Sequence, residues 1–155
     1  MSSIVVSLLF SAVVALVAGQ TTCPESWTNY GTSCYAFYKT KASFIDAASL
    51  CASFGSYLAE IETDGENKHV QAYMKLQNTD VTDGVWLGGN DIRAEGLWVW
   101  DKSEKSIEYF DWDSSQPDDT GRTQNCMSLW KHFDYKWADH YCSQKLAFLC
   151  EQAAT

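Results

Sequence analysis

Little in this chain of 155 residues points to catalysis or to nucleic acid. There is no glycine-rich phosphate loop, no H-E-x-x-H and no G-x-S-x-G, so the common signatures of nucleotide, metalloprotease and serine-hydrolase chemistry are missing. Bases are outnumbered by acids, 11 to 20, and the formal net charge is −9, which opposes nucleic acids and anionic membranes. The three histidines are scattered and no C-x-x-C pair occurs, which argues against a zinc centre. Prolines number two, glycines are dispersed, and no repeat, linker or N-x-S/T sequon is present. One folded domain, without N-glycosylation, is expected.

The first segment, "MSSIVVSLLFSAVVALVAG", has no charged side chain, is apolar from Ile4 to Ala18 and ends in small residues. It reads as a secretory signal peptide, residues 1–19, cleaved after Gly19, which leaves the domain as residues 20–155. All six cysteines fall in that domain. An even number in a secreted context predicts three disulfides, though spacing alone leaves fifteen pairings open.

Hydrophobic periodicity predicts an α+β fold. "CYAFY" (Cys34 to Tyr38) is strand-like, while Phe44, Ala47, Ala48 and Cys51 fall at helical spacing behind Ser43 as N-cap. Thr63 and Glu66 fit a capping box at the start of a second helix whose buried stripe is Val70 and Met74. The period then shortens. "VWLGG", "LWVW", "CMSLW", "KWA" and "AFLCE" are short strand-like runs. Between Trp100 and Cys126 lies a long aperiodic stretch, tied down by Tyr109, Phe110 and Trp112. It contains "SSQPDDTGRTQNC", rich in side-chain oxygens of the kind that hold a hard cation.

Taken in order, Cys34–Tyr35, "SFIDAASLCASFGSYLAEI", "WLGG", "WDSSQPD", "NCMSLW", "KWADHYC" and "FLCE" resemble the C-type lectin-like domain in its long, three-disulfide form. The resemblance covers nearly all of Cys23 to Glu151. It implies two helices, short antiparallel strands and a long loop region that carries calcium and sugar. It also implies the pairings Cys23–Cys34, Cys51–Cys150 and Cys126–Cys142, a cis peptide before Pro117, and structural roles for Trp86, Leu87 and Trp137. Gln116, Asp118, Gln124 and Asp139 stand where the family's Ca2+ and sugar ligands stand, and the Q-P-D order resembles the galactose and N-acetylgalactosamine class. An auxiliary calcium position would use Asp91, Glu95, Asp119 and Asn125.

Two positions depart from the family pattern. Gln124 replaces a usual glutamate, and Ala138 replaces the asparagine of W-N-D. Fewer charged ligands lower calcium affinity. One lost hydrogen bond to a sugar hydroxyl costs about 1–3 kcal/mol, or roughly tenfold to a hundredfold in affinity. A stacking aromatic is expected from Phe133 or Tyr135 near the turn of the last hairpin. His140, beside Asp139, is either a plain solvent-exposed histidine or a sugar contact that would confer pH sensitivity near its reference pKa of about 6.5. The expectation is a secreted, non-enzymatic, calcium-using lectin for galactose-type glycans, with a role in innate recognition and avidity from homo-oligomers or clustering. The alternative is a lectin-like domain with a degenerate sugar site, binding protein or mineral, or binding sugar without calcium.

Overall fold

The computed structural model describes residues 22–77 and 83–155. The expected signal segment, 1–19, lies outside the described residues. Two helices and a mixed sheet make up an α+β domain. The strands are β1 (Thr28–Tyr30), β2 (Ser33–Ala42), β3 (Tyr57–Leu58), β4 (Gly84–Asn90), β5 (Val99–Trp100), β6 (Cys126–Trp130), β7 (Lys136–His140) and β8 (Leu146–Ala153). Their lateral order is β1-β2-β8-β4-β6-β7, with β3 against β8 and β5 against β4. Neighbours are antiparallel except β4 and β8, which run parallel through Val85↔Ala147 and Trp86↔Phe148.

Helix α1 (Phe44–Ser53) starts where Ser43 Oγ accepts the Asp46 amide at 3.3 Å, so the cap read from sequence is the cap used. Phe44, Ala47 and Cys51 are its buried face, packed with Trp86, Leu146 and Phe148, while Ala48 is half-buried. Helix α2 (Asp64–Leu76) starts at Thr63, whose Oγ1 accepts the Glu66 amide at 3.2 Å. The reciprocal half of the capping box is displaced by one residue. Glu66 takes the Glu62 amide at 2.7 Å on Oε2, and its Oε1 accepts the Tyr35 hydroxyl, a core contact that holds the side chain away from Thr63 N–H.

The strand β4 is buried along its whole length, which is why "VWLGG" lacks alternation. Gly88 lets it pass close to β3, because a Cβ there would sit 2.8 Å from the Leu58 carbonyl oxygen. Of "LWVW" only Val99 and Trp100 pair, opposite Asn90 and Gly89, and Leu97 is exposed. Disulfides join Cys23 to Cys34, Cys51 to Cys150 and Cys126 to Cys142. The second links α1 to β8 and closes a loop worth about 4–5 kcal/mol in the chain-entropy model.

The long aperiodic stretch is fastened to the core from both sides. Trp137 N–H donates to Asp111 O at 2.9 Å, and Asp113 N–H donates to Trp137 O at 3.0 Å. The Trp112 ring meets Trp98 at a centroid distance of 4.8 Å. Asp111 Oδ2 accepts from Asn67 at 2.8 Å and Gln71 at 2.9 Å on α2, and Oδ1 from Lys136 at 2.7 Å on β7. Asn67 in turn accepts the Trp137 indole N–H at 2.9 Å. These bonds fix where the loop after Asp113 begins, opposite the end of β7.

Candidate calcium and sugar site

Asp139, near the end of β7, organises the loop. It is buried, with 1% of its surface exposed, and its Oδ1 and Oδ2 accept the amides of Asp118 at 3.0 Å and Asp119 at 2.8 Å. Its own amide donates to Gln116 Oε1 at 3.4 Å. Gln116 Nε2 donates to Asp118 Oδ2 at 3.3 Å, and Asp118 Oδ1 accepts the Thr120 amide and hydroxyl at 3.1 and 2.9 Å. Gln124 closes the turn, because its Oε1 accepts the Thr120 amide at 2.7 Å and its own amide donates to Asp119 Oδ1 at 3.2 Å. The Gln116–Pro117 peptide is cis. Gln116, Asp118 and Asp139 are therefore joined by direct bonds, and Gln124 is tied to them through Thr120 and Asp119.

The second set of acids lies alongside. Asp91 follows β4, its amide donating to Asn125 O at 3.2 Å and its Oδ2 accepting Gly96 N–H at 2.8 Å. Asp91 Oδ1 and Asn125 Oδ1 are both buried with no hydrogen-bond partner. Glu95 is near enough to Asp91 for the two carboxyls to act on each other's titration. The electrostatics agree with crowding. Burial first, then the charge of Asp119, raises Asp91, and burial followed by Asp91 and Asp119 raises Glu95. Asp139 is raised by burial and by Asp118, against the lowering effect of the two amides it accepts.

These residues suit a hard cation in chemistry more than in closure. Orphaned buried oxygens are rare, and Asp91 Oδ1 and Asn125 Oδ1 are of the kind that a calcium ion satisfies. Yet among the described residues no three Asp, Glu, His or Cys side chains converge closely enough to form a ready metal cluster. The donor set leans on amide oxygens and turn backbone instead. Two cavities, of about 460 Å³ around Trp100 and Tyr109 and about 550 Å³ around Phe44 and Ile92, lie away from the Gln116–Gln124 turn. The candidate site is an exposed surface, suited to the end of a glycan rather than to an enclosed ligand.

Two expectations for the last hairpin are corrected. Tyr135 is 5% exposed and part of the core, so it offers no stacking face, and Phe133 is half-buried. His140 does not titrate near its usual value. Its ring packs on Trp130 at 4.2 Å and meets Trp86 edge-on at 6.4 Å, and burial pushes its pKa down to about 4. Its Nε2 is buried without a partner, so that nitrogen is not presented to a surface ligand. The aromatic that does stand by the loop is Tyr141, 42% exposed, whose hydroxyl donates to Thr120 O at 3.2 Å. Its hydroxyl also lies 3.4 Å from where a Cβ on Gly121 would be. Sequence gave no reason to prefer it, since adjacency to Cys142 does not reveal that the polar loop folds back onto its ring.

The Lectin C-type domain model matches residues 40–152. Perlucin of Haliotis laevigata is 31% identical over 84% of this chain and 83% of its own length. An alpha-N-acetylgalactosamine-specific lectin of Patiria pectinifera is 30% identical over 83% of this chain and 79% of its own. The mouse scavenger receptor C-type lectin carbohydrate-recognition domain superposes with a TM-score of 0.76 at 27% identity, covering 86% of this chain and all of that domain. Its fold, its three disulfides and the family match together make this chain a member of the C-type lectin domain family, a carbohydrate-binding rather than a catalytic module.

Proposed function

We propose that this protein is a secreted, calcium-using lectin that recognises terminal galactose or N-acetylgalactosamine. The observation that carries the reading is the convergence of Gln116, Asp118, Gln124 and Asp139 at one exposed turn, next to the orphaned oxygens of Asp91 and Asn125. Calcium would be held by Gln116, Asp118, Gln124 and Asp139, with Asp91, Glu95, Asp119 and Asn125 around an auxiliary ion. Bound there, it would offer open coordination positions to a pair of vicinal hydroxyls. The protein's own groups then do the selecting. An amide at 116 and a carboxylate at 118 place donor and acceptor in a fixed order around those hydroxyls, and Tyr141 supplies an apolar face beside them. The specificity printed in the name of the Patiria pectinifera lectin supports the same sugar class.

A second reading rests on Asp139. Both of its oxygens are committed to loop amides, and Ala138 beside it contributes no polar group. A loop braced in this way could recognise sugar without calcium, or serve a protein or mineral partner. Retention of the oxidised domain on galactose and N-acetylgalactosamine beads, with mannose beads as control, separates the two. Release by EDTA supports the calcium-bridged reading. Retention that ignores EDTA supports metal-free recognition, and no retention on any bead favours the non-sugar partner.

A further inference from the structure

One base stands in the binding loop. Between Lys105 and Lys131 the chain carries Glu108, Asp111, Asp113, Asp118 and Asp119, and Arg122 is the single basic residue among them. It is exposed, and among the described residues it enters no ion pair, although Asp118 and Asp119 are four and three residues away. Those carboxylates have other duties: Asp118 accepts from Thr120 and Gln116, and Asp119 Oδ1 accepts from Gln124. Only the Arg122 backbone is engaged, its N–H donating to Asp119 O at 2.7 Å. Its φ is 56°, following Gly121 at 74°, a left-handed conformation that costs an arginine more than a glycine. The loop therefore carries an exposed arginine, on a left-handed backbone, that makes no ion pair with the acids beside it.

The neighbouring positions point the same way. Gln124 is uncharged where the family pattern has a glutamate, which removes one negative charge two residues from Arg122. A guanidinium presents a rigid fork of donors that matches the paired oxygens of a sulfate or carboxylate. We propose that Arg122 extends the site to galactose-type sugars bearing an anionic substituent, a sulfate ester or a carboxylate. This rests on the galactose reading above and narrows its ligand class.

Competition against galactose beads in calcium tests it, using neutral galactose, sulfated galactose and galacturonic acid as soluble competitors. The anionic competitors should be about two- to fivefold more potent than galactose, the range of an exposed ionic contact. Whichever of the two gains more identifies the substituent. The advantage should fall to near one in Arg122→Gln, persist in part in Arg122→Lys, and collapse at about 0.5 M salt, where the Debye length is only a few ångströms. Equal potency of all three sugars on wild type, with the beads still binding, overturns this inference and leaves the galactose reading standing. An advantage that survives Arg122→Gln also overturns it, because the charge then lies elsewhere. Failure of wild type to bind both galactose beads and sulfated-galactose beads overturns the two together.

Discussion

Replacing Asp91 by asparagine should reverse its effect on stability according to whether calcium is present. Without the ion, Asp91 is a buried carboxylate beside Glu95 and Asp119, raised by burial and by like charge, with Oδ1 unpartnered. Asparagine keeps an oxygen for the Gly96 amide and removes the charge, so in EDTA Asp91→Asn should match or exceed wild type, by up to about 1 kcal/mol. With the ion the order inverts. Extracellular calcium modules have dissociation constants of about 0.1–1 mM. Free calcium at about 10 mM then stabilises the native state by about 1.4–2.7 kcal/mol. At about 3–5 °C per kcal/mol for a domain of this size, wild type should melt about 5–10 °C higher than in EDTA. Losing one carboxylate should weaken binding about tenfold and cut the rise to about 2–5 °C, roughly 4 °C less than in wild type. Differential scanning calorimetry of both proteins in both conditions gives the four melting temperatures. A wild-type melt indifferent to calcium, or an equal rise in both proteins, would refute the assignment of Asp91 to a cation.

Three more outcomes follow from the geometry. Tyr141→Ala should weaken binding of galactose-type sugars by about three- to tenfold without changing the melt, as read by isothermal titration. Asn67→Ala should cost about 2–3 kcal/mol in urea unfolding, because the Trp137 indole N–H loses its acceptor in the core and the clamp on Asp111 loosens. A cost under about 0.5 kcal/mol would show that this network does not hold the loop. Glu151, 4% exposed, has its pKa pushed up to about 7 by burial, against the bonds from Ser33 and the Glu60 amide. Its folded value lies above its unfolded one, so its contribution is full below about pH 4.5 and declines as pH rises to about 7. The decline should be on the order of 1–3 kcal/mol, and Glu151→Gln should flatten that part of the stability profile. An unchanged profile would mean the carboxylate is ionised throughout.

Local patterns account for much of the fold. Ser43 and Thr63 act as caps because a side-chain oxygen needs only the amide three residues on, and the stripes of α1 and α2 follow from helical period alone. The short β-runs were legible as strands but not as an order. That β4 runs parallel to β8 while every other pair is antiparallel depends on chain crossings that no window of sequence contains. Six cysteines allow many pairings, and only the docking of α1 on β8 brings Cys51 to Cys150. Gln116, Asp118 and Asn125 could be named as candidates from residue type and spacing within one loop. Their link to Asp91 and Asp139, distant in sequence, was implied by the resemblance alone, and the bonds that make it depend on the sheet.

The errors in the last hairpin have a single cause. A hairpin's alternation says which residues share a face, but burial depends on what covers that face. Trp86 and Trp130 enclose His140 and lower its pKa, Tyr135 enters the core, and Tyr141, one residue past β7, is left outside to meet the turn around Thr120. Composition and motif thus fixed the chemistry available to this chain: oxygens, amides, acids and one arginine in a long loop. Which of those groups are exposed, which are spent on one another and which lack partners is set by contacts between segments far apart in sequence, because burial and hydrogen bonding are properties of the packed whole.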